Sequence, residues 1–374
     1  MHYLDANATE PLRPEARDAI AAALAVTGNP SSVHGAGRAA RRIMEDARES
    51  VAARFGGRAP DLVFTSGGTE ADALAIHALG AGRRVIAGAT EHDAVRAAAP
   101  GAAILPVDRR GVADLDALAA LLATGPPALV CLMLANNETG VLQPVAEAAA
   151  LCRRHGARLH VDAVQAAGRM ALDFAALGAD AMAISSHKLG GPAGIGALLL
   201  APDVSPIAPL IAGGGQERGR RGGTPAVAAI AGFAAAADAA GDASALAPLR
   251  DAAEAAAVAC GALVCGADAP RLPNTTCLAL PGVRADAQVI ALDLAGVAVS
   301  AGAACSSGKV AASHVLQAMG LGPLAGEAIR VSLPWRAAWA DVEAFADAYR
   351  KTAAALRCAR RDTPGRQTPG RQAG

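Results

Sequence analysis

The sequence predicts an α/β protein with a large, mostly parallel sheet covered by helices on both faces, followed by a smaller α+β unit. Between residues 60 and 200, short apolar runs alternate with segments of helical periodicity, the rhythm of repeated strand–helix–strand units. After Gly241 this rhythm stops. Hydrophobic residues make up 53% of the 374 residues and aromatic residues only 2%, so alanine and small aliphatic side chains must fill the core.

The elements follow from these patterns in order along the chain. A helix is predicted over residues 36–55, where Ile43, Ala47, Val51 and Phe55 recur every four positions. The apolar runs predict strands at residues 62–65, 84–87, 128–134, 158–162, 180–185 and 195–200. Helical patterns between these strands lie at residues 70–79, 113–123 and 144–155. The longest apolar run, Pro225 to Ala237, is too short to span a bilayer and predicts a buried helix.

The second half of the chain predicts a separate small domain. Its elements are a helix at residues 245–260, strands near 275–280 and 297–300, and a final helix at 340–358. We expect a large domain over residues 14–245 and a small α+β domain formed by residues 1–13 and 246–360. The tandem TPGRQ at the end predicts a disordered tail over residues 361–374.

Composition excludes several classes of protein. The chain carries 34 basic and 34 acidic residues, so no basic surface indicates nucleic-acid binding. Its seven cysteines are odd in number and widely spread, which argues against a disulfide framework and favours a reducing compartment. Only Cys260 and Cys265 lie close together, and no second pair has zinc spacing, so no metal site is expected. No apolar segment follows Met1, and we expect a cytoplasmic protein without membrane contact.

Lysine is rare in this chain, which makes one lysine informative. Only three of the 34 basic residues are lysines, and Lys188 lies in the apolar, glycine-flanked stretch SSHKLGGPAGIG. Arginine stays protonated, whereas lysine can lose its proton and form a Schiff base. The stretch therefore favours a reactive amine, with a surface lysine in a loop as the alternative.

Two further motifs suit a phosphorylated, pyridine-type cofactor bound to that lysine. Asp162 ends the apolar strand LHVD, where an acid could keep a ring nitrogen protonated; a helix cap is the alternative. The segment TSGGTE, residues 65–70, follows a strand and opens a helix. Its glycines, free amides and the Thr69 hydroxyl could bind a phosphate, although an ordinary turn would look similar. Sequence motifs for nucleoside triphosphates and dinucleotides are absent.

Three side chains complete the candidate site. His92 follows a strand and could stack on a flat ring, but a lone histidine is also often structural. Cys305, in SAGAACSSG, lies among small residues that suit an accessible nucleophile, whereas the other cysteines lie in apolar or helical surroundings. Arg330 interrupts a strand-like apolar run and could bind a substrate carboxylate; a structural ion pair is the alternative.

The chain resembles the cysteine desulfurases among the class V aminotransferase-like enzymes that depend on pyridoxal 5'-phosphate (PLP). It is most similar to the branch that serves iron–sulfur cluster or nitrogenase assembly. The motifs that carry the resemblance are YLDANAT (3–9), GNPSSVH (28–34), FTSGGTEADALAI (64–76), TEH (90–92), NNETG (136–140), HVDAVQAAG (160–168), SSHKLGGPAGIGAL (185–198), GGGQERGRRGGT (213–224), SAGAACSSG (300–308) and IRVSL (329–333).

The resemblance implies a type I PLP-dependent transferase fold, with a mostly parallel seven-stranded sheet in the large domain. It implies that L-cysteine becomes L-alanine while Cys305 takes the sulfur as a persulfide for an acceptor protein, such as an iron–sulfur scaffold. It also implies a homodimer with a shared active site. The residues implied to bind PLP are Lys188, Asp162, Gln165, His92, Gly68, Thr69, Ser185, His187 and, from a partner subunit, Thr224. The residues implied to bind the substrate are Asn137, Arg330 and Asn7; Lys188, Cys305 and His92 would be catalytic.

Three positions depart from the pattern expected of the family. Glu10 stands where a second threonine is usual, Ala73 where an asparagine is common, and Pro334 where a glycine follows the strand of Arg330. Proline fixes φ and could shift the end of that strand. Two alternatives stay open: a selenocysteine lyase or other PLP-dependent β-lyase, which the cofactor residues fit equally well, and a catalytically silent relative, which the departures at Glu10 and Pro334 motivate.

Overall fold

The computed structural model describes residues 1–302 and 312–361, and side chains through residue 358. In chain order the strands are β1 (His2–Tyr3), β2 (Leu62–Thr65), β3 (Arg84–Gly88), β4 (Ala103–Leu105), β5 (Ala128–Cys131), β6 (Arg158–Asp162), β7 (Ala181–Ser185), β8 (Gly196–Leu200), β9 (Leu263–Val264), β10 (Thr275–Ala279), β11 (Val297–Ala298), β12 (Ser300–Ala301) and β13 (Ala328–Ser332). The helices are α1 (Pro14–Leu24), α2 (Gly35–Arg54), α3 (Gly68–Leu79), α4 (Asp93–Ala98), α5 (Leu115–Leu122), α6 (Val145–Arg154), α7 (Phe174–Leu177), α8 (Val227–Ala239), α9 (Ala247–Ala259), α10 (Ala285–Leu294), α11 (His314–Ala318) and α12 (Trp339–Arg361).

A seven-stranded sheet forms the centre of the larger part, in the order β2-β8-β7-β6-β5-β3-β4. All neighbouring strands are parallel except β8, which runs antiparallel to both β2 and β7. Every residue of β2, β5, β7 and β8 is buried, as expected for a sheet covered on both faces. The predicted α/β fold with a mostly parallel sheet is confirmed.

Helices α1, α2 and α8 pack together on one face of the sheet, and α3 and α4 pack on the other. The two faces have separate hydrophobic cores, built mainly from alanine, leucine and valine. The low aromatic content is consistent with this, because small side chains let the helices lie close to the strands.

The strand register brings the carboxyl ends of β2, β6 and β7 to one edge of the sheet. Thr65 and Ser185 both pair with Gly196, while Asp162 pairs with Ala183. A Cβ atom at Gly196 would lie 2.7 Å from the carbonyl carbon of Gly67, so only glycine allows the turn after β2 to cross β8. Side chains that follow these strands therefore converge, as expected for ligand sites in α/β sheets.

The smaller part contains the antiparallel sheet β12-β13-β10-β9, and α9, α10 and α12 contribute to its hydrophobic core. The chain's first residues join it: β1 pairs with β11, and the Ser332 amide donates to the Leu4 carbonyl at 2.9 Å. The Ala6 amide donates to the Ser332 carbonyl at 3.0 Å. These contacts agree with assigning the first residues to the small domain, whose boundaries stay a prediction.

Several short elements differ from the sequence prediction. The strand expected over residues 128–134 ends at Cys131, although the Leu132 and Leu134 amides still bond to β6 carbonyls. Helix α10 was not predicted, because Ile290 and Leu294 are 61% and 84% exposed and blur its apolar stripe. Within residues 1–302 and 312–361, no helix is both long enough and apolar enough to cross a membrane.

Candidate active site

Lys188 ends a short 3-10 turn that follows β7. Its Nζ donates to the carbonyl oxygens of Asn7 at 2.5 Å and Ala8 at 3.0 Å. Burial, together with the positive charges of Arg169 and Arg330, lowers the pKa of this amine to about 7. A substantial fraction is therefore unprotonated near neutral pH, as a nucleophilic lysine requires.

Asn7 connects the predicted cofactor and substrate residues. Its carbonyl oxygen also accepts from Gln165 Nε2 at 3.0 Å, and its Nδ2 donates to the Asn137 carbonyl at 3.0 Å. The same Asn137 oxygen accepts from an Arg330 Nη at 3.2 Å. The structure thus brings together Lys188, Gln165, Asn137 and Arg330 around one asparagine.

Asp162 is buried at the end of β6, where its Oδ1 accepts from the Val164 amide at 2.9 Å. Burial raises its pKa to about 7, and the nearby Asp72 carboxylate adds to the increase while His92 opposes it. Asp72 pairs with His160 at 2.9 Å, and both side chains are almost completely buried. Burial likewise raises the pKa of Asp72 well above its usual range.

These buried acids fit a cationic ring nitrogen. The positive groups that lower the pKa of Asp162 are histidines, and burial lowers the pKa of His160 to about 4. Lys188 also interacts with Asp162, but the pKa of its amine is lowered to about 7. A protonated pyridine nitrogen would supply the missing positive charge and favour ionised Asp162. The residues present therefore fit PLP.

The predicted phosphate-binding turn has free donors. Helix α3 begins at Gly68 after Gly67, which has no side chain to cap it, and the Ala71 amide is the first bonded to the turn. Throughout residues 1–302 and 312–361, no hydrogen-bond acceptor is found for the amides of residues 68–70. A Cβ atom at Gly68 would lie 2.7 Å from Val164 and 3.6 Å from the Cβ of Ser185, so these residues adjoin. The arrangement suits an anion at a helix N-terminus.

The remaining predicted cofactor residues vary in placement. Thr69 is exposed at the start of α3, and His187 Nδ1 lies 3.1 Å from Thr9 Oγ1. Burial lowers the pKa of His187 to about 4, so it is neutral at pH 7. His92 caps α4, where its Nδ1 accepts from the Ala94 amide at 3.1 Å, and its side chain is exposed. Thr224 is exposed and has no hydrogen bond to the other predicted ligands within the described part of the chain.

Arg330 on β13 can both form a structural ion pair and bind a substrate carboxylate, the two interpretations that the sequence left open. Its Nη2 forms an ion pair with Asp5 at 2.6 Å, which is the structural role considered as the alternative. Its Nε is buried without a partner among the described residues, leaving a donor for a ligand. Cys305 lies outside the described residues. Gly302 precedes the segment that contains it, and Ser313 follows that segment.

Comparisons with known proteins decide the family. Residues 2–345 match the class-V aminotransferase family model. An IscS-like cysteine desulfurase of Mycobacterium tuberculosis is 40% identical over 370 residues, covering 92% of this chain and 94% of the relative. The chain belongs to the cysteine desulfurases of the class-V aminotransferase family. A cysteine desulfurase of Cereibacter sphaeroides is 42% identical over 335 residues, covering 85% of this chain and 86% of the relative.

Solved structures agree with this family assignment. The structure of a NifS-like protein from Rickettsia africae has a TM-score of 0.87 at 35% identity, covering 94% of this chain and 99% of its own. A second NifS-like protein has a TM-score of 0.86 at 32% identity, covering 95% and 99%. The resemblance inferred from the motifs is thus confirmed, as is the fold class of this PLP-dependent family.

The site of this desulfurase contains charged residues that the sequence did not single out. Arg169 is about 1% exposed and donates to the carbonyls of Gln165 and Ala6, both at 3.1 Å. Asp5 pairs with Arg330, and the buried Glu138 follows Asn137. A charged residue inside an apolar or alanine-rich run, such as Arg169 in AVQAAGRMAL, was the available signal.

Two of the departures from the family pattern lie next to each other in space. Glu10 is buried, and its Oε2 accepts from the amide of Trp335, the residue after Pro334, at 3.4 Å. Arg13 lies 4.7 Å above the centre of the Trp335 ring. Strand β13 keeps its register with β10 through Ser332, so the proline does not shift Arg330.

Proposed function

We propose that this cysteine desulfurase converts L-cysteine to L-alanine and transfers the sulfur to Cys305 as a persulfide, which an acceptor protein then receives. The observation that carries the proposal is the Asn7 network. It places an amine of lowered pKa, Lys188, beside two groups suited to a substrate carboxylate, Arg330 and Asn137. An amino acid bound through its carboxylate at Arg330 would reach the amine with its Cα.

We assign PLP to the site at the carboxyl ends of β2, β6 and β7. The residues proposed to hold it are Lys188, Asp162, Gln165, His92, Gly68, Thr69, Ser185 and His187, with Thr224 from a partner subunit. When bound, PLP withdraws electrons from the substrate Cα. Asp162 supplies the negative charge beside the ring nitrogen, and the free amides of α3 bind the phosphate. His92 is exposed, which leaves its imidazole accessible for stacking on a ring.

The substrate is proposed to bind beside the cofactor site, where Arg330 supplies charge and hydrogen-bond donors. Arg330 retains a free Nε donor, and Asp5 holds its guanidinium in place. Asn7 and Asn137 fix the neighbouring backbone. Lys188, once unprotonated, can remove the proton from the substrate Cα, because the lowered pKa of its amine matches that of a base working near pH 7.

Sulfur transfer is assigned to Cys305. Its thiolate attacks the substrate sulfur; an S–S bond forms, the C–S bond breaks, and the carbon fragment leaves as alanine after protonation. The described cysteines are free thiols, in agreement with a reducing cytoplasm. Iron–sulfur scaffold proteins are the acceptor class we favour, since relatives carry the name IscS.

A homodimer is proposed because Thr224 is exposed and lies in a segment held to its own subunit by other residues. Arg221 in this segment pairs with Glu70 at 2.8 Å, and Arg220 donates to the Leu62 carbonyl at 3.0 Å. Thr224 is exposed and forms no hydrogen bond to the proposed cofactor residues within the described part of the chain, so a second subunit could use it.

The first experiment measures absorption of the purified protein and then its products from L-cysteine with a reductant. A yellow protein that releases sulfide and alanine in equal amounts supports the proposal. Pyruvate as the carbon product would contradict it and indicate another β-lyase. Faster turnover of selenocysteine than of cysteine would favour a selenocysteine lyase.

A Cys305→Ser variant tests the sulfur acceptor directly. The variant is expected to keep the visible absorption of bound PLP and the spectral change on adding cysteine, because the residues proposed for those steps are intact. It should lose persulfide formation, since serine is a far weaker nucleophile towards sulfur. Sulfur transfer at the normal rate by this variant would show that another group takes the sulfur.

A further inference from the structure

Glu138 is a buried carboxylate beside the substrate-binding residue Asn137. Its side chain is 2% exposed, and one oxygen, Oε2, accepts from Ser313 Oγ at 2.5 Å. Ser313 is itself buried and caps α11, where its Oγ accepts from the Leu316 amide at 3.1 Å. The Ser313 hydroxyl thus has both its donor and its acceptor capacity in use, which fixes its orientation.

The same carboxylate oxygen approaches Gly302. A Cβ atom at Gly302 would lie 2.8 Å from Glu138 Oε2, so the backbone here passes close to the carboxylate. Gly302 is held in turn by its amide, which donates to the Ala328 carbonyl at 3.2 Å. Glu138 therefore contacts one residue on each side of residues 303–311, the segment that contains Cys305.

Glu138 is equally fixed on its other side, towards the substrate residues. Its amide donates to Asn136 Oδ1 at 3.0 Å, and the carbonyl of Asn137 accepts from both Asn7 and Arg330. The turn from 136 to 139 thus shares hydrogen bonds with the proposed carboxylate site. Within the described part of the chain, the Glu138 side chain is the group of this turn that hydrogen-bonds Ser313 and approaches Gly302.

We propose that Glu138 is a positioning residue for sulfur transfer, which connects the substrate-binding turn to both Gly302 and Ser313. This inference rests on the proposed function. Glu138 acts by fixing the distance between the bound substrate and the two ends of the Cys305 segment. It does not touch the reacting atoms and is not itself a catalytic residue.

A negative charge on Glu138 strengthens its hydrogen bond from Ser313. Burial raises the pKa of Glu138 to about 7; the charge of Asp93 adds to the increase, whereas the Ser313 hydrogen bond and the charge of Arg330 oppose it. An ionised carboxylate accepts a stronger hydrogen bond from Ser313 than a neutral one. Sulfur transfer is expected to speed up with rising pH as this carboxyl ionises.

The test separates substrate binding from sulfur transfer in the PLP-loaded enzyme. Ser313→Ala removes only the hydroxyl, and Glu138→Ala removes the carboxylate. Cysteine binding is followed by the change in cofactor absorption, and persulfide on Cys305 by the mass of its peptide in a single turnover. Each variant should form persulfide at least about tenfold more slowly, the usual effect of losing a hydrogen bond to a charged group. The binding signal should stay unchanged.

A matched control comes from another serine–carboxylate pair. Ser50 Oγ donates to Asp238 at 2.7 Å on the surface between α2 and α8, away from the site. Asp238→Asn should leave both measurements at the wild-type level. The Glu138→Ala/Ser313→Ala double variant should be no slower than the Glu138→Ala single variant, because that substitution already removes the link to Ser313.

The outcomes distinguish the inference from the function on which it rests. A wild-type enzyme that forms no persulfide on Cys305 refutes the proposed function. Wild-type rates of persulfide formation in both variants refute the role of Glu138 and leave the proposed function standing. A loss of cysteine binding as large as the loss of rate also refutes that role, because the variants would then act on substrate binding. If Glu138→Ala does not bind PLP, Ser313→Ala alone decides, because it leaves every charge in place.

Discussion

Substitution of Glu217 by glutamine tests how the segment that carries Thr224 is held. Glu217 forms a two-pronged ion pair with Arg48 at 2.7 and 2.8 Å, and the side chains are only 3% and 4% exposed. Its Oε2 also accepts from the Phe64 amide at 3.0 Å. Glu217 and Arg218 have positive φ angles of 48° and 59°, a conformation that costs energy for residues other than glycine.

The expected loss follows from the environment of Arg48. Removing one partner of a buried ion pair usually costs about 3–5 kcal/mol, because the other charge stays buried without compensation. Arg48 keeps a second contact to Glu45 at 3.1 Å, and glutamine preserves the shape of the side chain. We therefore expect the lower end, about 3 kcal/mol, which lowers the thermal midpoint of a chain this long by about 4 °C.

The assay is thermal unfolding of the PLP-loaded protein, followed by circular dichroism at a fixed scan rate. Asp347→Asn is the control, because Asp347 pairs with Arg350 on the surface, where both side chains are 66% exposed. That variant should change stability by less than about 1 kcal/mol. If Glu217→Gln were no less stable than Asp347→Asn, the ion pair would not hold the strained segment and the reasoning would be wrong.

Two further predictions concern the site. Asn7→Ala should raise KM for cysteine roughly tenfold, because the Asn137 carbonyl loses the hydrogen bond from the Asn7 side chain. PLP absorption should be retained, because Lys188 keeps its backbone acceptors. An unchanged KM would contradict this prediction. Glu10→Gln should remove a pH dependence of stability. Burial raises the pKa of Glu10 to about 7, so the native state binds the proton more tightly than the unfolded chain, and wild-type stability falls as pH rises from about 4.5 through 7. Relative to Glu10→Gln, the wild type should lose up to about 3 kcal/mol of its free energy of unfolding between pH 5 and 8, measured by denaturant unfolding. If the free energies of the two proteins changed with pH in parallel, Glu10 would not be the titrating group.

The sequence predicted the central sheet well, because its strands are buried on both faces. The expected strand at residues 158–162 coincides with β6, and that at 62–65 coincides with β2. A fully buried strand reads as a continuous apolar run, and its ends are marked by the polar residues of the site. Asp162 was therefore placed correctly from its position alone.

Elements at the periphery carried no such signal. Strand β4 has three residues, and Ile104 within it is 61% exposed. Helix α4 has six residues and starts at the His92 cap, so its pattern is too short for helical periodicity. Pairing with β3 and packing against α3 stabilise these segments, and neither contact shows in the short segments themselves.

The site was predicted residue by residue, but its connections were not. Lys188, Gln165, Asn137 and Arg330 were each singled out by local pattern or motif, yet what joins them is Asn7. Hydrogen bonds between residues more than 100 positions apart leave no mark in a local window. The same limit hid the Asp5–Arg330 pair, in which a residue proposed to bind the substrate also has a structural partner.

The attachment of the first residues to β13 sets an order for synthesis of the protein. Asn7 leaves the ribosome long before Ser332, yet its amide bonds to the Ser332 hydroxyl at 3.0 Å, and Leu4 and Ala6 pair with the backbone of the same serine. The central sheet can form as soon as residue 200 has emerged, because its strands end there. The Asn7 carbonyl that accepts from the Lys188 amine is fixed in place only after translation has passed residue 332. A nascent chain can thus complete its largest core well before its active site.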